Sequence, residues 1–243
     1  ALRNHRLLGA TARLHWPSPN QGLLGPDVIG PVAAEGGLVG ATTEALVREV
    51  HRTLVDTAEL ATDGAGTPLW IGIRLTRDQL VHPAVGSLIR AVLDDPSVAP
   101  SRLRVDITED TVVDDTALDV VAGLRDLGVH VTVEQFGTGP TSLLRLSRYP
   151  ASAIRLDPSF VQSLGRRRDD TVIVTAVAAL AQDLGLELSA DGIDEDFQAT
   201  YLDGLGFTSG RGRMFGERIS REDLLTATLA IVDAPASREE LAR

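Results

Sequence analysis

Short β-type runs that alternate with helical stretches across short connections predict an α/β chain of parallel strands, a (β/α) barrel more than a doubly wound sheet. The length of 243 residues fits one barrel domain of about 250 residues. Polar residues also stand at the ends of successive strand-like runs, where such a barrel carries its site. Periodicity by itself leaves the doubly wound sheet open.

Taken in order, Leu7 to Trp16 has strand character and is broken by Pro17, Pro19 and Gly22. Pro26 and Asp27 open a short helix through Glu35. Thr42 or Thr43 is the expected N-cap of a second helix to about Leu60, with Leu46, Val47, Val50, Leu54 and Ala58 at helical spacing. A Gly-rich loop at Thr62 to Thr67 leads into a strand over Leu69 to Leu75 and a helix from Arg77 to Leu93. The unit repeats as strand Leu103 to Ile107 with helix Asp115 to Leu127, then strand Val129 to Val133 with helix Thr141 to Arg148. Strand Ala153 to Leu156, helix Asp170 to Leu184, strand Glu187 to Ser189 and helix Glu195 to Leu205 follow. A Gly-rich strand region from Phe207 to Phe215 and a helix from Arg221 to Val232 complete a barrel domain over 1–232, with 233–243 a tail or linker.

The net charge of −11 is spread along the chain, which excludes a nucleic-acid surface fed by a basic face. Cysteine is absent, so disulfides, thiolate nucleophiles and cysteine-bound zinc are excluded. All 23 basic residues are arginine. No apolar run reaches the roughly 18 residues of a membrane span and no signal peptide is evident, so a soluble, cytoplasmic chain is expected. It begins at Ala1 rather than Met and reads as part of a longer protein.

Val129 to Leu143, VHVTVEQFGTGPTSL, organises the rest: apolar alternation ends at Glu134 and Gln135, and Gly137 and Gly139 permit a tight turn into a helix. This run resembles the DDFGTG motif of the EAL-domain family, the bacterial cyclic-di-GMP phosphodiesterases. PVAAEGGLV, DITED, IRLDPSFV and LGFTSGRGRMFG extend the resemblance in the right order from Gly9 to about Ile219. It implies a TIM-type barrel whose first strand is commonly antiparallel. That strand and the family's opening helix would precede Ala1, leaving closure of the barrel to a longer chain.

The family's site positions are altered here. Gly9 to Trp16 stands where the family has G-x-E-A-L-x-R-W, so Thr11 replaces a metal-binding glutamate and His15 an arginine that contacts the dinucleotide. Arg74 replaces a metal-binding asparagine, and Asp106 and Glu109 match the two acids of E-I-T-E. Glu134 and Gln135 replace the two aspartates, Arg155 the lysine, Asp191 the glutamate of A-E-G and Arg211 the glutamine of G-Q-G, while Asp157 is retained. The literal Glu44 to Arg48 string, EALVR, falls inside a helix and reads as a solvated i, i+4 pair.

Among the positions Thr11, Arg74, Asp106, Glu134, Gln135, Arg155, Asp191 and Arg211, three acids face three arginines, where the family has an acidic set suited to two cations. Arginine offers only donors and a fixed positive charge, so a binuclear metal site, a cofactor and phosphodiester hydrolysis are not expected. The three arginines either grip phosphates directly, as a metal-independent cyclic-di-GMP receptor, or pair with Asp106, Glu134 and Asp191 in a closed network. A residual or repurposed single-metal enzyme on Asp106, Glu109, Glu134 and Asp191 is the further alternative. His15 beside Trp16 reads as a packing or hydrogen-bonding residue. Arg166 to Arg168 read as a solvated loop. The resemblance implies a regulatory module that binds a protein partner, or senses a dinucleotide while attached to other signalling domains, and a homodimer.

Overall fold

The computed structural model describes residues 1–58, 68–139, 143–165, 168–216 and 219–226. Seven parallel strands form one sheet: β1 Gly9–Ala12, β4 Trp70–Arg74, β5 Leu103–Thr108, β6 His130–Phe136, β7 Ala153–Leu156, β8 Glu187–Ala190 and β9 Ser209–Gly210, ordered as in the chain. Helices α1 Pro26–Glu35, α2 Val39–Asp56, α3 Arg77–Leu80, α4 Val85–Leu93, α5 Asp115–Asp126, α6 Leu143–Arg148, α7 Pro158–Gln162, α8 Arg168–Asp183 and α9 Asp196–Gly204 fall between them. A small antiparallel hairpin, β2 Trp16–Ser18 with β3 Gly22–Leu24, stands apart from the sheet.

This is the expected α/β, TIM-like architecture, as a curled sheet. Among the described residues no ladder joins β9 to β1. Arg211 Nη2 instead donates to Thr11 Oγ1 across that gap, and Leu2 N donates to Thr208 O at 3.3 Å, setting the first residues beside β9. β1 pairs parallel with β4, so the antiparallel opening strand has no counterpart among the described residues.

Period-two alternation sorts the strand residues onto two faces. Ile71, Ile73, Val105, Ile107, Val131, Val133, Ile154 and Leu188 are fully buried. They belong to one core with Leu46, Val50 and Leu54 of α2, Ile89 and Val92 of α4, and Val121 and Leu124 of α5. Among the intervening residues, Arg74, Asp106, Glu134 and Arg155 are polar and meet on the other face, in company with Trp70, Gly72 and Ala153. At the N-terminal ends of the strands Arg104 lies 4.5 Å over the Trp70 ring, and Glu187 pairs with Arg104 at 3.5 Å and His130 at 3.2 Å. Gly9, opposite Trp70 in register, leaves room for that indole: a Cβ there would stand 2.2 Å from the ring.

Several boundaries differ from expectation. The broken run after Trp16 is the β2–β3 hairpin. Helix α2 starts after Leu38, and the Thr42 and Thr43 hydroxyls bond back to Leu38 O at 3.0 Å and Val39 O at 2.7 Å, as threonines inside a helix do. The helix expected over Arg77 to Leu93 is two helices, because Pro83 lacks an amide donor and disfavours helical backbone at His82. Helix α7 was not expected, although Asp157 as N-cap and Pro158 at the first position are its usual signature. Thr62 to Thr67, Arg166, Arg167 and the tail 233–243 lie outside the described residues. Residues 221–226 are helical, with Leu224 buried and Arg221 paired with Glu49 at 3.4 Å. Among the described residues no helix is long and apolar enough to cross a membrane.

Candidate functional site

The C-terminal ends of the strands converge on Asp106 of β5 and Glu134 of β6, which are 0% and 1% exposed. Carboxylates that deep persist only when paired. Asp106 Oδ2 accepts from Arg155 Nη1 at 2.9 Å, Arg211 Nη2 at 3.2 Å and Thr11 Oγ1 at 3.1 Å. Glu134 Oε1 accepts from the same two arginines, from Arg155 Nη1 and from Arg211 Nη1 at 3.2 Å. Two guanidinium groups therefore clamp the same two carboxylate oxygens. Arg74 Nε holds Glu134 Oε2 at 3.2 Å, and Arg155 Nε faces Asp191 Oδ1 at 3.8 Å.

The two acids respond differently to this setting. Burial pushes the Asp106 carboxyl up, but the charges of Arg155 and Arg211 together outweigh it and hold Asp106 below the usual carboxylate range. Burial, reinforced by the Asp106 charge, pushes Glu134 up against the pull of Arg155, Arg211 and Arg74. Glu134 is thus the member that takes a proton first. Burial opposes the charge on Arg155 too, but Asp106, Glu134 and Asp191 more than compensate and hold it above its ordinary value.

Thr11, Arg74, Asp106, Glu134, Gln135, Arg155, Asp191 and Arg211 are brought together, with Gln135 joined through its Oε1 to Arg74 Nη2 at 3.4 Å. The other three predicted residues hold different places. Glu109 Oε2 accepts from the amides of Gly137 at 2.8 Å and Gly139 at 3.0 Å, fixing the turn after β6. Asp157 Oδ1 caps α7 by accepting from Ser159 N at 2.9 Å. His15 Nδ1 faces Arg13 O at 3.1 Å.

Glu134 and Gln135 do not end β6 as expected. The strand runs on to Phe136 through an irregularity after Val133, where Gln135 takes a left-handed φ of 56°. That conformation is uncommon outside glycine, asparagine and aspartate, and marks the site as locally strained. Gly139 is needed for a different reason, since a Cβ there would stand 2.8 Å from Glu109 Cδ.

One participant escaped the sequence reading. Arg13 Nη2 approaches Glu134 Oε1 at 3.8 Å with 33% of its side chain exposed. Its signal was the two-residue spacing from Thr11, which places both on one face of an extended chain. Arg13, Arg74 and Glu109 line a cavity of about 540 Å³ at the rim, whose other wall is α1 and the start of α2.

A pair of divalent cations does not fit these residues. Magnesium and calcium take about six to eight oxygen ligands. Here the facing oxygens of Asp106 and Glu134 are taken by guanidinium groups, and of the site's buried acid oxygens Asp106 Oδ1 and Asp191 Oδ1 have no hydrogen bond among the described residues. Among the described residues no group of three or more His, Asp or Glu side chains is placed to hold a metal ion.

A TIM-like α/β barrel with an ionic site at the C-terminal rim of its strands is the class of protein these features define. The EAL domain family matches residues 1–218, and the chain belongs to it. It is 32% identical over 226 residues to the bifunctional diguanylate cyclase/cyclic di-GMP phosphodiesterase MucR of Pseudomonas aeruginosa, covering 92% of this chain and 32% of that protein. The solved MucR phosphodiesterase in complex with c-di-GMP superposes with a TM-score of 0.79 at 32% identity, covering 89% of this chain and 87% of that one. The EAL domain of Mycobacterium smegmatis DcpA gives 0.66 at 28% identity, covering 76% and 83%. The chain spans about a third of the length of MucR, so these likenesses concern one domain of a longer signalling protein.

Proposed function

We propose that this chain is a non-hydrolysing EAL module of cyclic-di-GMP signalling, acting by binding a protein partner or a dinucleotide rather than by cleaving one. The observation that carries the reading is the double clamp of Arg155 and Arg211 on Asp106 and Glu134. Hydrolysis by two metals needs those oxygens for cations, and fixed guanidinium charges repel cations from the same place. Incubation with cyclic di-GMP and Mg²⁺ or Mn²⁺ should give no linear product; turnover above the buffer rate would overturn the proposal. A second reading, a metal-independent receptor for cyclic di-GMP using Arg74, Arg155 and Arg211, is favoured by the rim cavity, which lies within the size range of small-molecule sites.

A further inference from the structure

The N-terminal mouth of the barrel, at the far end from the rim, holds a second ionic cluster. Glu187 of β8 is shared there between two basic side chains, approaching His130 Nε2 at 3.2 Å and Arg104 Nη1 at 3.5 Å. Those two side chains are only 17% and 19% exposed, and the Arg104 guanidinium also lies 4.5 Å over the Trp70 ring. His130 Nδ1 and Arg104 Nε are buried without a hydrogen bond among the described residues. Of the charged groups, Glu187 meets His130 directly and Arg104 meets it through Glu187; the neighbouring strands add Trp70, Gly9 and Ala153, which carry no charge. His130 and Glu187 together draw this acid below the usual carboxylate range only because His130, ahead of Arg104, outweighs the burial that opposes them.

Arg104 links this cluster to the rim. It precedes Asp106 by two residues on the same face of β5. Burial pushes its guanidinium down, Glu187 and then Asp106 oppose that, and the Arg155 charge acts with burial, so Arg104 feels acids at both ends of the barrel.

We propose that His130 is a proton sensor at the N-terminal mouth and that Arg104 carries its charge state to the Asp106–Arg155 pair of the rim. Histidine is the side chain whose charge ordinarily changes between about pH 5 and 8. Once protonated, His130 takes the shared carboxylate, being nearer to it than Arg104, and repels the guanidinium that stands opposite it in register. The attractions left to Arg104 are the Trp70 face and the Asp106 charge. A neutral His130 returns Glu187 to Arg104.

Heteronuclear NMR of the arginine Nε–H groups, followed from about pH 8 to about pH 5, tests both halves of the proposal. In the unaltered chain the Arg104 and Arg155 signals should shift with one midpoint, the midpoint at which the His130 ring signals move. His130→Gln, and Glu187→Gln at a more exposed position, should flatten both arginine curves while leaving the circular dichroism of the parent. Glu134 also contacts Arg155, and its own proton uptake would move the Arg155 signal. An Arg155 step that survives in either variant therefore overturns the transmission, and an Arg104 signal that stays still in the unaltered chain overturns the sensor.

Discussion

Replacing Arg155 with alanine should cost about 3–5 kcal/mol, the usual penalty for stripping one partner from a buried ion pair. The residue is 4% exposed and its guanidinium serves three acids, with Asp106 at 2.9 Å, Glu134 in direct contact and Asp191 at 3.8 Å. Unit charges about 4 Å apart interact by about 4 kcal/mol at an effective dielectric of 20. Loss of Arg155 therefore leaves Asp106 and Glu134 repelling each other with only Arg211 between them. Protonation of Glu134, already pushed up, is the available relief, and the variant pushes it further. An acid whose folded value is raised withdraws stability as pH rises through that range, so the gap between parent and variant should be wider at pH 8 than at pH 5. Urea denaturation followed by circular dichroism at both pH values measures this, and a thermal scan should show a fall of roughly 6–20 °C. A loss below about 1 kcal/mol at both pH values, or a wider gap at pH 5, would refute the reasoning. Arg155→Lys keeps the charge but not the fork, and should cost about 1–2 kcal/mol.

Arg102 is 4% exposed and donates to Leu69 O at 3.0 Å, Leu54 O at 2.9 Å and Thr57 Oγ1 at 2.7 Å; Arg102→Ala should lose about 3 kcal/mol in the same denaturation assay. Gly139→Ala drives a methyl into Glu109 and should cost about 1–3 kcal/mol, measurable as a lowered melting temperature that Gly86→Ala, on open helix surface, does not show. Hydrogen bonds from the Ser97 side chain and amide, then His51, pull the Asp95 carboxyl down to about 2. A depressed acid lends stability above its ordinary value near 4 and loses it as pH falls through 2, so Asp95→Asn should be less stable than the parent at pH 6, with the gap shrinking steadily towards pH 2 and closing below it.

Most strands were legible because apolar residues recur at every second position of the longer ones; their order was not, since periodicity left the doubly wound sheet open, the barrel came from the family resemblance, and the pairing gives the order. Boundaries failed where a local contact outweighed the pattern. Thr42 and Thr43 look like caps in sequence but bond backwards inside α2. The β6 strand continues past Glu134 because its bulge turns Gln135 with a left-handed φ, which no sequence period encodes. The family resemblance picked out the positions of the three arginines and three acids, and their charges left two arrangements open, a phosphate grip or a closed network; the ion pairs of Arg74, Arg155 and Arg211 with Asp106, Glu134 and Asp191 come from the geometry. Arg13 was missed because motif matching put a leucine of the family at its place, and only the geometry shows it approaching Glu134 from the same face as Thr11.

The neighbour of Gly9 constrains that position through its main chain as well as its ring. The register sets Gly9 beside Trp70, and a Cβ at Gly9 would stand 2.2 Å both from the indole and from the Trp70 carbonyl oxygen. A smaller residue at Trp70 would clear the ring and leave a void beside the Arg104 cation, but the carbonyl would stay where it is. No exchange of large for small across the two strands therefore frees position 9, and a descendant lineage can vary Trp70 while Gly9 stays glycine.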